Sequence, residues 1–166
     1  ALEEIVRSLN DVVNTGKVRY VAICNWPAWM VAKAQMIAHY NGWHKFIGLQ
    51  YYYSAVTRDI EHEIVRMAKD NHLAILPWSP LAGGFLSGKY SREETSSGSR
   101  RDTYDFPPIN KEKAYDLVDV LREIANSHQA TVAQVALAWV RQQSGITSTI
   151  IGAKRIEQLK DNIASL

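Results

Sequence analysis

Apolar residues recur along the chain at two different spacings, and the two spacings alternate. Spacings of three and four residues predict amphipathic helices over 1–14, 27–40, 57–69, 111–126, 131–143 and 156–165. Short, mostly apolar runs rich in β-branched residues predict strands covered on both faces at 18–26, 46–54, 73–78 and 148–151. Strands that alternate with helices indicate βα units and a parallel sheet.

Two threonines are predicted to begin helices. Thr57 stands where an N-cap of the helix over 57–69 would lie. Thr131 is followed three residues later by Gln134, the spacing of a capping box. Both positions therefore fix an expected helix start.

The number of predicted strands is half of what a closed barrel needs. Four parallel strands with their helices make half of a (β/α)8 barrel, and they leave two sheet edges and one sheet face uncovered. We therefore expect either a second half elsewhere or the pairing of two copies. The predicted fold is α/β, a half barrel of about four parallel strands in a single domain over 1–166, with 91–110 as a flexible polar loop.

The composition is typical of a soluble globular protein, with 46% hydrophobic and 22% charged residues. A net charge of +2 is too small to indicate nucleic acid as a partner, and no apolar run approaches the roughly 18 residues of a membrane span. One cysteine, Cys24, and the lack of a leader pattern favour a cytoplasmic protein. No histidine has a second ligand at metal spacing, so no metal site is expected.

Polar and aromatic side chains stand where the predicted strands end. Ligands of βα barrels bind at the carboxyl ends of the strands. Asn25 and Gln50 each offer an amide donor and acceptor, which suits the carboxamide of a nicotinamide ring. Trp78 offers a flat ring that would stack on the nicotinamide.

The segment after the strand at 73–78 has the residues of a nucleotide-binding loop. Adjacent glycines let backbone N–H groups approach an anion, and Lys89 adds a compact positive charge. An ordinary surface loop is the alternative for the same residues. The candidate cofactor residues of this segment are Trp78, Ser79, Pro80, Leu81, Gly83 and Lys89.

Several motifs together resemble the carboxyl-terminal half of the aldo-keto reductases, which are NADPH-dependent (β/α)8 enzymes. The matching stretches are Trp78-Ser79-Pro80-Leu81-Ala82-Gly83-Gly84, Ser87-Gly88-Lys89-Tyr90, Gly16-Lys17-Val18-Arg19-Tyr20 with Ile23-Cys24-Asn25-Trp26, Gln50-Tyr51, and Ile150-Ile151-Gly152-Ala153-Lys154-Arg155. The resemblance covers strands five to eight of the family barrel. It implies that Asn25 and Gln50 bind the carboxamide and that Trp78 stacks on the nicotinamide.

The last of these motifs implies the preference for NADPH. Gly152, Lys154 and Arg155 resemble the family's eighth-strand motif, and a basic pair at a helix start suits a phosphate. A solvated surface pair is the alternative. Gln158, Asp161 and Asn162 lie three to four residues apart, so they are expected to share one helical face for adenine and ribose.

The resemblance also implies what this chain lacks. The family's acid-base residues, an Asp, a Tyr, a Lys and a His, come from its first four strand-loop units, so no catalytic residue is expected here. The family usually has Ser where this chain has Cys24, and we expect a buried, inert thiol. The predicted function is the cofactor-binding half of an oxidoreductase that acts on small carbonyl compounds. The alternative is a non-catalytic nucleotide-binding or interaction module, as a homodimer of half barrels.

Overall fold

The computed structural model describes residues 1–92 and 100–166. Its α-helices are α1 (Leu2–Asn14), α2 (Ala28–Tyr40), α3 (Ile64–Asp70), α4 (Arg100–Thr103), α5 (Lys111–Ser127), α6 (Val132–Gln142) and α7 (Ile156–Ile163). Its strands are β1 (Ala22–Cys24), β2 (Gly48–Tyr52) and β3 (Ala74–Trp78). Two 3-10 helices span Asp59–Glu61 and Ala82–Ser87. The alternation of strands and helices confirms the predicted α/β class.

The strands form one parallel sheet in the order β1-β2-β3. Ile23, Leu49 and Ile75 are paired across the sheet and buried in a core that α1, α2 and α3 complete. Because side chains alternate along a strand, the residues between them face the other side, where Cys24 is exposed. One face is therefore packed, and the other is open at β1 and mostly half-buried at β2 and β3, as expected for part of a (β/α) barrel.

The predicted fourth strand at 148–151 is not a regular strand. Residues 146–150 run parallel to β3 and donate to it from Thr147 N to Ile75 O and from Ile150 N to Pro77 O, both at 2.9 Å. On this edge of β3, two backbone nitrogens that would donate to the next strand in a regular parallel ladder do not do so. Pro77 has no N–H, and Ile75 N donates to the Thr147 hydroxyl at 3.2 Å instead of to a backbone carbonyl. The segment therefore lies along the sheet without extending the ladder.

The predicted helix over 57–69 is broken in two. Thr57 does not cap a helix, because the 3-10 helix Asp59–Glu61 begins after Arg58, which is its N-cap residue. Thr57 lies instead in a tight turn, where its N–H donates to Ser54 O at 3.0 Å. The 3-10 helix that follows is tied to the end of β2 through Glu61, which accepts from Tyr53 Oη at 2.6 Å and from Arg58 Nε at 2.8 Å. Regular α-helix begins only at Ile64. A contact with the preceding strand thus overrides the helical pattern.

This cluster predicts how stability depends on pH. Hydrogen bonds from Arg58, and secondarily from Tyr53, lower the pKa of Glu61. Its contribution to stability is therefore present above the unfolded pKa of about 4.3 and is lost as the pH falls through the lower, folded value. We expect Glu61→Gln to flatten the fall in unfolding free energy between about pH 5 and pH 3, measured by urea denaturation. Glu123→Gln, at an exposed site on α5, is the control, and equal slopes in the two variants would contradict the assignment.

A second core joins the loop after β3 to α5 and α6. Phe85 and Leu86 of the 3-10 helix Ala82–Ser87 pack there against residues such as Val118 and Leu121. Composition predicts a solvated, flexible loop over 91–110, of which 93–99 lie outside the described residues. In the described part, α4 places Arg101 with only 4% of its side chain exposed.

Candidate functional site

The carboxyl ends of three neighbouring strands bring Asn25, Gln50 and Trp78 together. Gln50 is paired with Cys24 across the sheet, and Tyr52 with Trp78. Asn25 follows β1 directly and donates from its backbone N to Gln50 O at 3.2 Å. Asn25 has a φ of +56°, a left-handed conformation that asparagine adopts more readily than most residues. The chain turns sharply there and leaves the amide at the strand ends.

The Trp78 indole is the centre of this group. Its Nε1–H donates to Asn25 Oδ1 at 3.2 Å. Its ring stacks with Tyr52, at 5.0 Å between ring centroids, and with Phe106, at 5.8 Å and an interplanar angle of 11°. The indole therefore has a fixed position before any ligand arrives. No sequence signal indicated Phe106, because its contact depends on the path of the chain between α4 and α5.

The prediction of a buried thiol at Cys24 is wrong. Cys24 is exposed, and its Sγ lies 3.5 Å from Gln50 Oε1, to which the thiol donates. The reason is the alternation along β1, in which Ile23 takes the buried position and Cys24 the open face. The thiol thus lies among the polar groups of the strand ends.

The loop after β3 folds back on itself. Ser79 has a φ of +53°, and its hydroxyl accepts from Gly83 N at 2.9 Å. Gly84 N donates to Leu81 O at 2.9 Å, so the N–H groups of both glycines are used within the loop. Pro80 and Leu81 are buried and half-buried. This differs from a loop whose glycine N–H groups point outward to an anion.

Lys89 reaches the same loop with its ammonium group. A Cβ built on Gly84 would lie 3.6 Å from Lys89 Nζ, which places the charge beside the glycine pair. The ammonium also lies 5.2 Å from the centre of the Tyr90 ring. The structure therefore brings Lys89 and Gly84 together at the mouth of the loop.

The basic segment 152–155 begins beside β3. The bond from Ile150 N to Pro77 O holds the chain there, and Gly152, Lys154 and Arg155 that follow are exposed. Lys154 N donates to Gln158 Oε1 at 2.9 Å, which fixes the first turn of α7. The structure thus places Lys154, Arg155 and Gln158 together on an open surface.

Asp161 and Asn162 lie on the side of α7 that packs against the rest of the protein. The Asp161 carboxylate accepts from Thr131 Oγ1 at 3.1 Å and from Gln134 Nε2 at 2.8 Å. Thr131 also caps α6, since its hydroxyl accepts from Gln134 N, and this confirms the predicted capping box. Asp161 therefore stands at the positive end of α6, where a carboxylate is stabilised. Asn162 is only 7% exposed.

Tyr51 of β2 is not suited to act as a proton donor for carbonyl chemistry. Tyr51 points to the packed face and donates from its hydroxyl to Trp26 O. Burial raises the pKa of Tyr51 to about 12, which makes it a poor acid at neutral pH. Within the described part of the chain, no three His, Cys, Asp or Glu side chains gather as a metal site requires.

Comparison with known proteins identifies the family of the chain. The sequence model of the Aldo/keto reductase family matches residues 1–166. The chain belongs to this family. It is 32% identical to a versiconal hemiacetal acetate reductase of Aspergillus parasiticus over 99% of the chain and 48% of that protein. It is 36% identical to an aryl-alcohol dehydrogenase of Pestalotiopsis microspora, over 99% of the chain and 41% of that protein.

A probable aldo-keto reductase of Glycine max shows the same proportions, with 34% identity over 99% of the chain and 46% of the relative. The chain thus spans about half the length of the curated relatives it matches. Membership of this family agrees with the parallel sheet and its surrounding helices. None of the helices in residues 1–92 and 100–166 combines the length and apolar character needed to cross a bilayer.

Proposed function

We propose that this aldo/keto reductase chain is the cofactor-binding part of an NADPH-dependent oxidoreductase that reduces small aldehydes and ketones to alcohols. One observation carries the proposal: Asn25, Gln50 and Trp78 meet at the carboxyl ends of three neighbouring strands. The names of the relatives, a hemiacetal acetate reductase and an aryl-alcohol dehydrogenase, favour carbonyl and alcohol chemistry.

The donor set at the strand ends fits a nicotinamide ring. Amides at Asn25 and Gln50 complement a carboxamide. The indole of Trp78, which is half-buried and stacks with Tyr52 and Phe106, offers the part of its ring that these two leave uncovered. When bound, the nicotinamide supplies a hydride to the carbonyl carbon of the substrate. The residues of this chain hold the ring and orient it.

The remaining cofactor groups are assigned to the two segments beside β3. We assign the pyrophosphate to the outer side of the loop of Ser79, Pro80, Leu81 and Gly83, where the Lys89 ammonium supplies the attraction, since the glycine N–H groups are bonded within the loop. Lys154 and Arg155 are assigned to the 2′-phosphate, with Gly152 leaving room, since a Cβ there would meet no atom within 4 Å. Gln158 is assigned to the adenosine, and Asp161 and Asn162 hold α7 in place behind it.

The basic pair provides the experiment. Replacing Lys154 and Arg155 together by alanine is expected to weaken NADPH binding about tenfold, through the loss of charge-assisted phosphate contacts. Binding of NADH, which has no 2′-phosphate, is expected to change less than twofold. Calorimetric titration with both nucleotides measures the difference. Lys33→Ala with Lys45→Ala removes the same charge from exposed sites elsewhere, and equal losses for both nucleotides would refute the phosphate contact.

The open face of the sheet favours a second candidate function, an interaction module. Ala22 and Cys24 are exposed on this face, and β1 is an edge strand. Two copies that cover each other's open face would account for both features. Light scattering separates the candidates: a dimer that fails to bind NADPH favours the module, and a monomer that binds NADPH favours the oxidoreductase part.

A further inference from the structure

The indole nitrogen of Trp78 determines which way the Asn25 amide faces. An indole Nε1–H is a donor only, so the amide atom that lies 3.2 Å from it must be the oxygen, Oδ1. The Nδ2 group then points away from the indole. Asn25 therefore presents its amide as a hydrogen-bond donor.

Cys24 has the same effect on Gln50. The thiol, 3.5 Å from Gln50 Oε1, donates to that oxygen and leaves Nε2 on the side away from Cys24. A thiol is a weak donor, so this bond restrains Gln50 less than the indole restrains Asn25. Both amides are nevertheless turned alike, with the oxygen bonded to a neighbouring side chain and the NH2 group on the other side of the amide.

The indole and the amide are also held individually. Trp78 stacks with Tyr52 and Phe106, and the backbone of Asn25 is bonded to Gln50 O at 3.2 Å. Donors that are fixed before the ligand arrives lose little conformational freedom on binding. The strand ends therefore form a prearranged pair of amide donors.

We propose that Trp78 and Cys24 are positioning residues, which orient Asn25 and Gln50 so that the site selects a hydrogen-bond acceptor on the pyridine ring. The inference rests on the proposed function and deepens it. In a nicotinamide the acceptor is the carbonyl oxygen of the carboxamide. The amide nitrogen of the carboxamide contributes little to recognition.

Cofactor analogues test directly whether the site selects a hydrogen-bond acceptor on the pyridine ring. The 3-acetylpyridine analogue of the cofactor keeps the carbonyl and lacks the NH2 group, so its dissociation constant should stay within twofold of that of the natural cofactor in the same redox state. The 3-aminopyridine analogue has a donor in place of the carbonyl and should bind at least fivefold more weakly. Retained binding of the aminopyridine analogue would overturn the inference.

A double-mutant cycle tests the role of the indole nitrogen. Trp78→Phe keeps an aromatic ring and removes the N–H, and Asn25→Gly removes the amide while suiting the left-handed backbone. Titrations are made with NADPH and with adenosine 2′,5′-bisphosphate, which lacks the nicotinamide. We expect Trp78→Phe to weaken NADPH binding about fivefold when Asn25 is present and clearly less in the Asn25→Gly background. Binding of the bisphosphate should not change in either background.

The outcomes distinguish a failure of the proposed function from a failure of the positioning role of Trp78 and Cys24. Failure of the folded chain to bind NADPH overturns the proposed function and this inference with it. If NADPH binds but Trp78→Phe has the same effect in both backgrounds, the inference alone is overturned. Cys24→Ser, which restores a donor, should bind NADPH more tightly than Cys24→Ala, and this comparison is available even if the Trp78 variant does not fold.

Discussion

Replacement of Arg101 by methionine is expected to lower the free energy of unfolding by about 3 kcal/mol. The side chain of Arg101 is 4% exposed and donates to Ala82 O at 2.8 Å, to Pro107 O at 3.0 Å and to Asp105 Oδ1 at 2.5 Å. Methionine fills the space of the aliphatic stem but leaves these acceptors without their donor. The guanidinium thus connects the loop after β3 to the chain between α4 and α5.

Urea denaturation of matched variants measures the effect. Arg101→Lys keeps the charge but cannot reach all three acceptors, so we expect about half the loss. Arg92→Met removes an arginine whose side chain is 44% exposed and paired with Asp116, and it should change stability much less, because water screens an exposed ion pair. An Arg101→Met variant as stable as Arg92→Met would show that the buried contacts contribute nothing.

The second large effect is expected at Gly88, where alanine should cost about 3 kcal/mol of unfolding free energy. Gly88 has a φ of +84°, and a Cβ built on it would lie 2.9 Å from both Cβ and Cγ2 of Val132. Val132 begins α6, so the helix must shift to admit the methyl group. Backbone strain and steric overlap therefore act together.

Two further glycines separate these contributions in the same denaturation experiment. Gly84 has a φ of +93° but its nearest neighbour would be 3.6 Å away, so Gly84→Ala should show only the strain of about 1–2 kcal/mol. Gly152 has neither feature, and Gly152→Ala should be neutral. Adding Val132→Ala to Gly88→Ala should cost less than the sum of the two changes. Strict additivity would contradict the overlap.

Much of the fold could be predicted because its causes are local. The apolar spacing of α1 and α2 and the Thr131 capping box lie within a few residues of the structures they produce. The same holds for Asn25, Gln50 and Trp78, since parallel strands place their carboxyl ends at one edge of the sheet. A periodic pattern and one rule of topology were sufficient for these residues.

The remaining features depend on partners that are distant in sequence. The fourth strand is irregular because Pro77, on the neighbouring strand, has no N–H to donate. Arg101 lies in a polar segment whose composition predicts solvation, yet carbonyls of Ala82 and Pro107 surround it. The Asp161 carboxylate accepts a hydrogen bond from Thr131, a contact between α7 and the start of α6 that the spacing within α7 does not indicate. Each of these contacts joins elements whose packing no local pattern describes.

We infer that the three strand ends form a nicotinamide cofactor site, and calorimetric titration of the purified chain with NADPH is the decisive experiment. Circular dichroism and light scattering on the same sample establish that the protein is folded and monodisperse. We expect saturable binding of one NADPH per chain, and Trp78→Ala should weaken it by more than the roughly fivefold expected for Trp78→Phe, because alanine removes the stacking ring as well as the indole N–H. Absence of binding by the folded, monodisperse protein would contradict the claim.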